Sequence, residues 1–239
     1  MYKRQDNSLE KLITAKLDYG LLDDPRNDVS VRLNSTVINV QNNKSAGGTV
    51  TVSYVRDNLL EKVSASKCIL ACNSNVIPFI CPELPDKQKE ALAFQVKVPI
   101  LYTNVAVKSW EAWKNLGIGA MVCPGSYHIV SMLDFPVTYG NYEFSRNERE
   151  PIVIHMERFP HSYGSNLSAR EQYKLGRYEL LTTPFETIER NVREQLESSL
   201  SEGGFNAAKD ILGITVNRWS HGYSYWYNPL FDPIYDDYN

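Results

Sequence analysis

The sequence lacks a long apolar run, closely spaced cysteine pairs and an excess of one charge. No stretch approaches the roughly 20 apolar residues of a membrane-spanning helix, so we expect no span in this chain. The four cysteines form neither a CxxC pair nor a CxxCH haem-attachment motif. A chain of 239 residues also has no need of a disulfide framework. These absences exclude a disulfide mini-protein and a zinc ribbon.

The charge balance excludes a further class of partner. The chain has 25 Lys and Arg residues against 28 Asp and Glu residues, which gives a net charge of -3. Sequence-independent binding of nucleic acid needs a basic field, so we expect no nucleic-acid partner. The hydrophobic fraction of 43% is ordinary for a globular protein and is enough for one large domain or two modest ones.

Both ends of the sequence look cut. Residues 1–5 resemble the translation of a sequencing adaptor, and we set them aside. No signal-peptide pattern follows them. We expect any such signal to lie in a missing N-terminal part, so the sequence leaves the compartment open between periplasm and cytoplasm.

The first third of the chain predicts a β-meander. From Val29 to Val63 apolar residues alternate with polar ones, and the run is interrupted by two turn-like segments, which is typical of three antiparallel strands. The continuous apolar run Cys68–Cys72 predicts a strand buried on both faces, as in a parallel sheet. This order is typical of a meander that connects two parallel strands. A plain meander packed on a sheet remains an alternative.

The rest of the chain predicts helices packed on further strands. Ser168 and Thr183 each begin an apparent capping box, with a glutamate three residues later. An apolar stripe from Phe185 to Leu200 predicts an amphipathic helix. Ile214–Val216 predicts a strand, and an aromatic segment follows. The fold class is therefore α/β or α+β.

The segment from Asn217 to Tyr225 is the first candidate for chemistry. It holds one arginine, one histidine and several aromatic side chains, among them Trp219 and Tyr223. Such rings stack on a flat flavin and make cation–π contacts with an amine, worth roughly 0.5–2 kcal/mol. Gly222 permits a close backbone approach or a positive φ. An aromatic core cluster is the alternative, because Trp and Tyr bury large areas in any protein.

Four stretches together resemble the FAD-dependent amine oxidase superfamily, and within it bacterial oxidoreductases of the spermidine dehydrogenase type. They are TAKLDY from Thr14, VRLNSTV from Val31, CPELP from Cys81 and NRWSHGY from Asn217. The resemblance runs from about residue 8 to the C-terminus but covers only the middle of the family's proteins. Their N-terminal GxGxxG unit, which binds the pyrophosphate, is absent from this sequence.

The resemblance implies three segments. Residues 1–80 would be an incomplete FAD-binding lobe that contains the meander and the parallel-sheet strand, in a fold like that of glutathione reductase. Residues 81–210 would be the substrate-binding lobe, a mixed sheet with helices, and residues 211–239 would return to the FAD lobe.

The resemblance also implies site residues. Five would contact the cofactor: Val37, Ala71, Cys72, Trp219 and Gly222. Tyr223 and His221 would be catalytic, and Tyr225 and Arg218 would line the substrate cavity. Many relatives place a lysine on a substrate-lobe strand beside the flavin. The predicted strand Ile100–Val107 has none, so either the role is missing or Lys97 takes it from a loop.

The implied activity is oxidation of a small-molecule amine by hydride transfer to FAD, with a polyamine such as spermidine as the named substrate. A polycation needs an acidic cavity mouth, for which the candidates are Glu83, Asp86, Glu148 and Glu150. The electron acceptor and the oligomeric state are not encoded, and the resemblance leaves haem open. Two alternatives remain: a flavoenzyme of the same fold that oxidises a non-amine substrate such as a C–C bond, and a non-catalytic binding module.

Overall fold

The computed structural model describes residues 8–43, 48–94, 96–136, 138, 140, 142–162, 165–224 and 230. The chain divides into two compact units, residues 1–95 and residues 96–239. Antiparallel sheets and helices occur in both units, which confirms the predicted mixed α/β class. Within the described residues, no helix is both long and apolar enough to cross a membrane.

The first unit contains the predicted meander. Its strands β1 (Ser35–Asn43), β2 (Thr49–Arg56) and β3 (Leu59–Ala65) pair antiparallel in the order β1-β2-β3. Asp57 and Asn58 connect the last two strands with φ values of 50° and 61°. Asp and Asn tolerate this left-handed conformation, and it suits a two-residue hairpin turn. The unit also has helices α1 (Leu9–Thr14), α2 (Ile77–Ile80) and α3 (Asp86–Phe94).

The predicted parallel-sheet strand at Cys68–Cys72 is wrong. In the described part of the first unit this stretch has no strand pairing, since the only sheet there is the meander. Ile69 is 91% exposed, and Cys72 is also exposed. An apolar run becomes a buried strand only where neighbouring strands satisfy its backbone groups. Here only Cys68 and Leu70 pack inward, against a small core formed by Val40, Ile80 and Cys81.

The second unit is a five-stranded antiparallel sheet covered by helices. In chain order it comprises β4 (Lys97–Val107), α4 (Glu111–Leu116), β5 (Ala120–Val122), β6 (Val130–Asp134), β7 (Ile152–Arg158), α5 (Ala169–Thr182), α6 (Phe185–Leu200), α7 (Ala207–Asp210) and β8 (Ile211–Ser224). The spatial order is β5-β6-β7-β4-β8, so β8 is an edge strand.

One face of this sheet is the core of the second unit. Alternate β4 residues Leu101, Thr103, Val105 and Val107 are almost fully buried, as are Ile154 and Met156 of β7. On α6, the predicted stripe packs into the same core through Ile188, Val192, Leu196 and Leu200, all with 0% exposure, whereas Phe185 is exposed. Because side chains alternate along a strand, the residues between them point to the opposite, open face.

Of the two predicted capping boxes, one is confirmed and one is wrong. The Ser168 side chain accepts from the backbone of Glu171, whose carboxylate accepts in return from the Ser168 backbone. Thr183 does not cap α6. It ends α5 instead, and its hydroxyl donates to the Glu179 carbonyl over 2.8 Å. The α6 N-cap is Pro184, which makes no side-chain capping hydrogen bond.

Candidate functional site

The strands β4 and β8 form a cleft of about 400 Å³ on the second unit. We call it the aromatic cleft. It is lined by Ile100, Tyr102, Asn217, Trp219, Gly222 and Tyr223. In the sheet register Tyr102 faces Asn217 and Ile100 faces Trp219. Residues two apart on a strand share a face, so this register brings the four side chains together.

A large irregularity in β8 shapes one end of the cleft. Trp219 faces Ile100 and Tyr223 faces Val98, so the three residues between Trp219 and Tyr223 lie opposite Pro99 alone. Proline has no N–H to donate to a ladder, and within sheets it is confined to edges and bulges. The bulge therefore occurs where β4 cannot continue regular pairing. It places Tyr223 in the same cleft as Trp219.

Gly222 is required by packing on β4. A Cβ built on Gly222 would lie 2.4 Å from Ile100 Cδ1 and 3.1 Å from the Val98 carbonyl oxygen. Gly222 does not have a positive φ. Of the two reasons that the sequence suggested for this glycine, the structure shows a close approach, and the approaching group is the Ile100 side chain.

The rings of the cleft are accessible to a ligand. Trp219 is 59% exposed and Tyr223 is 62% exposed, so neither belongs to a core cluster. The pKa of Tyr102 is raised by burial first, and then by the negative charges of Glu157 and Asp134. Its hydroxyl therefore keeps its proton and can donate a hydrogen bond to a ligand.

Two predicted site residues, Lys97 and His221, lie near the bulge. Lys97 is the first residue of β4 rather than part of a loop, and its Nζ donates to Ser224 Oγ over 2.8 Å. His221 Nδ1 lies 2.9 Å from Ser220 Oγ. The pKa of His221 is lowered by partial burial and by the positive charges of Arg177 and Lys97. This environment favours the neutral imidazole, which can accept a proton.

Arg218 and Tyr225 are not brought into the described cleft. The Arg218 Nη2 donates to the Thr183 carbonyl over 2.8 Å, at the corner between α5 and α6. Arg218 alternates with the cleft residues Asn217 and Trp219, so its side chain lies on the other side of β8. Tyr225 lies outside the described residues.

Three of the residues predicted to contact the cofactor, Val37, Ala71 and Cys72, belong to the first unit. Val37 lies on β1 opposite Tyr54, next to a register irregularity between Val37 and Asn39. Ala71 and Cys72 are exposed in the irregular segment that follows β3. Their cofactor contacts remain predictions.

Sequence reasoning missed Tyr102, Ile100 and the role of Asn217. Part of the signal was present in β4, where the exposed Tyr102 lies between the buried Leu101 and Thr103, although Ile100 is itself buried. What was missing was the register, because only the pairing with β8 shows which aromatic residues these two side chains meet. Among the described residues, no three His, Cys, Asp or Glu side chains group to hold a metal ion.

Comparison with known proteins gives structural matches only. No protein-family model matches the sequence, and no curated protein matches it significantly. A solved triple mutant from a redesign of cofactor binding in putrescine oxidase is 16% identical over 77% of this chain, with a TM-score of 0.51. A single mutant from the same redesign is 17% identical over 80% of this chain, with a TM-score of 0.50.

The structure of this chain is also similar to that of a second oxidase. Cyclohexylamine oxidase from Brevibacterium oxydans IH-35A is 12% identical over 77% of this chain, with a TM-score of 0.51. The chain spans about a third of the length of these structures, 34% or 35% of each. Identity at this level indicates fold and not activity. The chain therefore has part of the fold seen in these amine oxidases.

Proposed function

We propose that this chain is the middle part of an FAD-dependent oxidoreductase that oxidises an amine, and that the aromatic cleft faces the flavin and the amine. The observation that carries the proposal is the pair of exposed rings, Trp219 and Tyr223, on one wall of a cleft in a fold shared with amine oxidases. Soluble proteins bury most rings of this size, so two exposed rings on one wall suit a ligand with a flat face.

The residues of the cleft fit the cofactor. Trp219 and Tyr223 offer flat apolar surfaces for a fused ring system, and Asn217 and Tyr102 offer hydrogen-bonding groups. When bound, a flavin accepts the hydride from the carbon next to the amine nitrogen. The chain's own residues would orient the amine, exclude water and hold protons. The catalytic role of His221 remains a prediction, because His221 is not among the residues that line the cleft.

The substrate class follows from two arguments. The cleft has aromatic walls, and rings of this kind bind cations through their faces. The four stretches that resemble spermidine dehydrogenases favour a polyamine. A flavoenzyme of the same fold with a non-amine substrate would use the same flavin-facing rings, and amine-dependent dye reduction separates it from our proposal.

Riboflavin provides a direct test of the flavin-facing wall, because stacking on tryptophan quenches flavin fluorescence. We expect the chain to quench added riboflavin saturably and Trp219→Ala to abolish the effect. Trp110→Phe is the matched control, since Trp110 packs against the core of the second unit. Equal quenching by wild type and Trp219→Ala would contradict the proposal, as would no quenching at all.

A further inference from the structure

A cross-strand row leads from the aromatic cleft to a carboxylate. Tyr102 of β4 faces Asn217 of β8 on one side and Glu157 of β7 on the other. Residues directly opposite each other in an antiparallel pair have Cβ atoms about 4.5–5.5 Å apart and share a face. Tyr102 and Asn217 line the cleft. Glu157 is therefore the next side chain on the open face, beside Tyr102.

His155 holds Glu157 in place. The His155 ring contacts the Tyr102 ring in a tilted arrangement, with a centroid distance of 3.7 Å and an angle of 42° between the ring planes. Its Nε2 lies 3.0 Å from Glu157 Oε1, and its Nδ1 lies 3.2 Å from Asn104 Oδ1. His155 is only 7% exposed, and both of its ring nitrogens have a hydrogen-bond partner. Its hydrogen-bonding partner Glu157 is more accessible, because the Glu157 side chain is 21% exposed.

This geometry leaves one carboxylate oxygen available. His155 occupies Oε1 of Glu157, while Oε2 has no hydrogen-bond partner within the described part of the chain. A partly buried carboxylate that is anchored at one oxygen can bind a cation with little loss of side-chain freedom. Glu157 faces Tyr102 across the β4–β7 pair, so its negative charge lies beside the cleft.

The acidic residues named from the sequence do not compete for this role. Glu148 pairs with Lys114 over 2.8 Å, and Glu150 accepts from the Arg146 backbone over 2.7 Å. Glu83 accepts from the Asn42 backbone over 3.1 Å, and Asp86 pairs with Lys89 over 3.5 Å.

We propose that Glu157 binds a second cationic group of the ligand whose first amine lies in the aromatic cleft. The cleft would then select a diamine or polyamine over a monoamine. This inference rests on the proposed function and adds to it the residue that determines specificity. The contacting rings of Tyr102 and His155 would lie between the two binding positions.

Calorimetric titration of the 239-residue chain with diaminobutane and with butylamine tests the inference. We expect the diamine to bind roughly tenfold more tightly, which corresponds to about 1.4 kcal/mol. Glu157→Gln keeps the shape of the side chain and removes its charge. It should abolish this preference by weakening the binding of the diamine more than that of butylamine. Glu194→Gln, on the exposed side of α6, should bind as the wild type does.

The outcomes of this experiment distinguish a failure of this inference from a failure of the proposed function. If wild type binds both amines equally, or if Glu157→Gln keeps the preference for the diamine, the second cation position is wrong and the amine site stands. If neither amine binds, the proposed function falls and the inference falls with it. Circular dichroism of each variant confirms that the fold is intact.

Discussion

We expect acid to destabilise the second unit through one buried histidine, His128. Its side chain has 0% exposure, and its Nε2 lies 3.0 Å from Thr103 Oγ1. Gln195 holds the His128 backbone by accepting from its N–H over 2.9 Å and donating to its carbonyl over 2.8 Å. Burial, reinforced by the positive charges of Arg158 and His155, lowers the pKa of His128 from 6.5 to about 3.

The sign of the effect follows from the direction of this shift. Between pH 6.5 and about 3 the unfolded chain binds a proton at His128 that the folded chain does not bind. The stability contribution is therefore complete above pH 6.5 and is lost as the pH falls towards 3. Each pH unit in that window is worth about 1.4 kcal/mol. Lowering the pH from 7 to 5 should cost about 2 kcal/mol of unfolding free energy.

Urea unfolding followed by tryptophan fluorescence between pH 7 and pH 5 measures this loss. The carboxyl groups whose pKa is lowered, such as Asp210, titrate at lower pH and leave the window clear. His128→Gln keeps a hydrogen-bonding group for Thr103 without titrating, and its stability should depend much less on pH than that of the wild type. The pH slope of His221→Gln is measured for comparison, because the pKa of His221 is also lowered and this residue therefore contributes to the slope. An equal slope in wild type and His128→Gln would refute the reasoning.

Further variants test the packing at Gly222 and the helix caps. Gly222→Ala should destabilise the chain by about 1–3 kcal/mol through overpacking against Ile100. Ile100→Ala in the same chain should offset part of this loss, and strictly additive losses in a double-mutant cycle by urea unfolding would contradict the contact. Ser168→Ala should cost about 1 kcal/mol by removing the capping box of α5. Thr183→Ala should not weaken the start of α6, and a clear loss of α6 protection in hydrogen exchange would restore Thr183 as its cap.

Local patterns predicted the elements better than they predicted their partners. The meander, the capping box at Ser168 and the apolar stripe of α6 depend on neighbours within a few residues, and the structure confirms all three. Cys68–Cys72 was misassigned because an apolar run does not specify which strands lie beside it. Thr183 was misassigned because it can cap α6 or end α5, and the two choices differ only in which backbone group is nearer.

For the candidate site too, the sequence predicted distinctive residues better than it predicted their neighbours in space. The sequence identified Trp219 and Tyr223 as chemically distinctive, and the structure places both in one cleft. The opposite wall could not be predicted, since Tyr102 enters through a register that spans more than a hundred residues of sequence. The position of Glu157 could not be predicted either, because it depends on the pairing of β4 with β7. The bulge opposite Pro99 is a tertiary feature, and it decides which β8 side chains meet the cleft.

The central claim is that the aromatic cleft presents an amine to a flavin. Its most direct test is the visible absorption of the protein produced from its complete reading frame, before and after anaerobic addition of spermidine. Our account predicts an oxidised-flavin band that bleaches with the amine and fails to bleach in Trp219→Ala. A colourless protein would contradict it, and so would a flavin band that no amine bleaches.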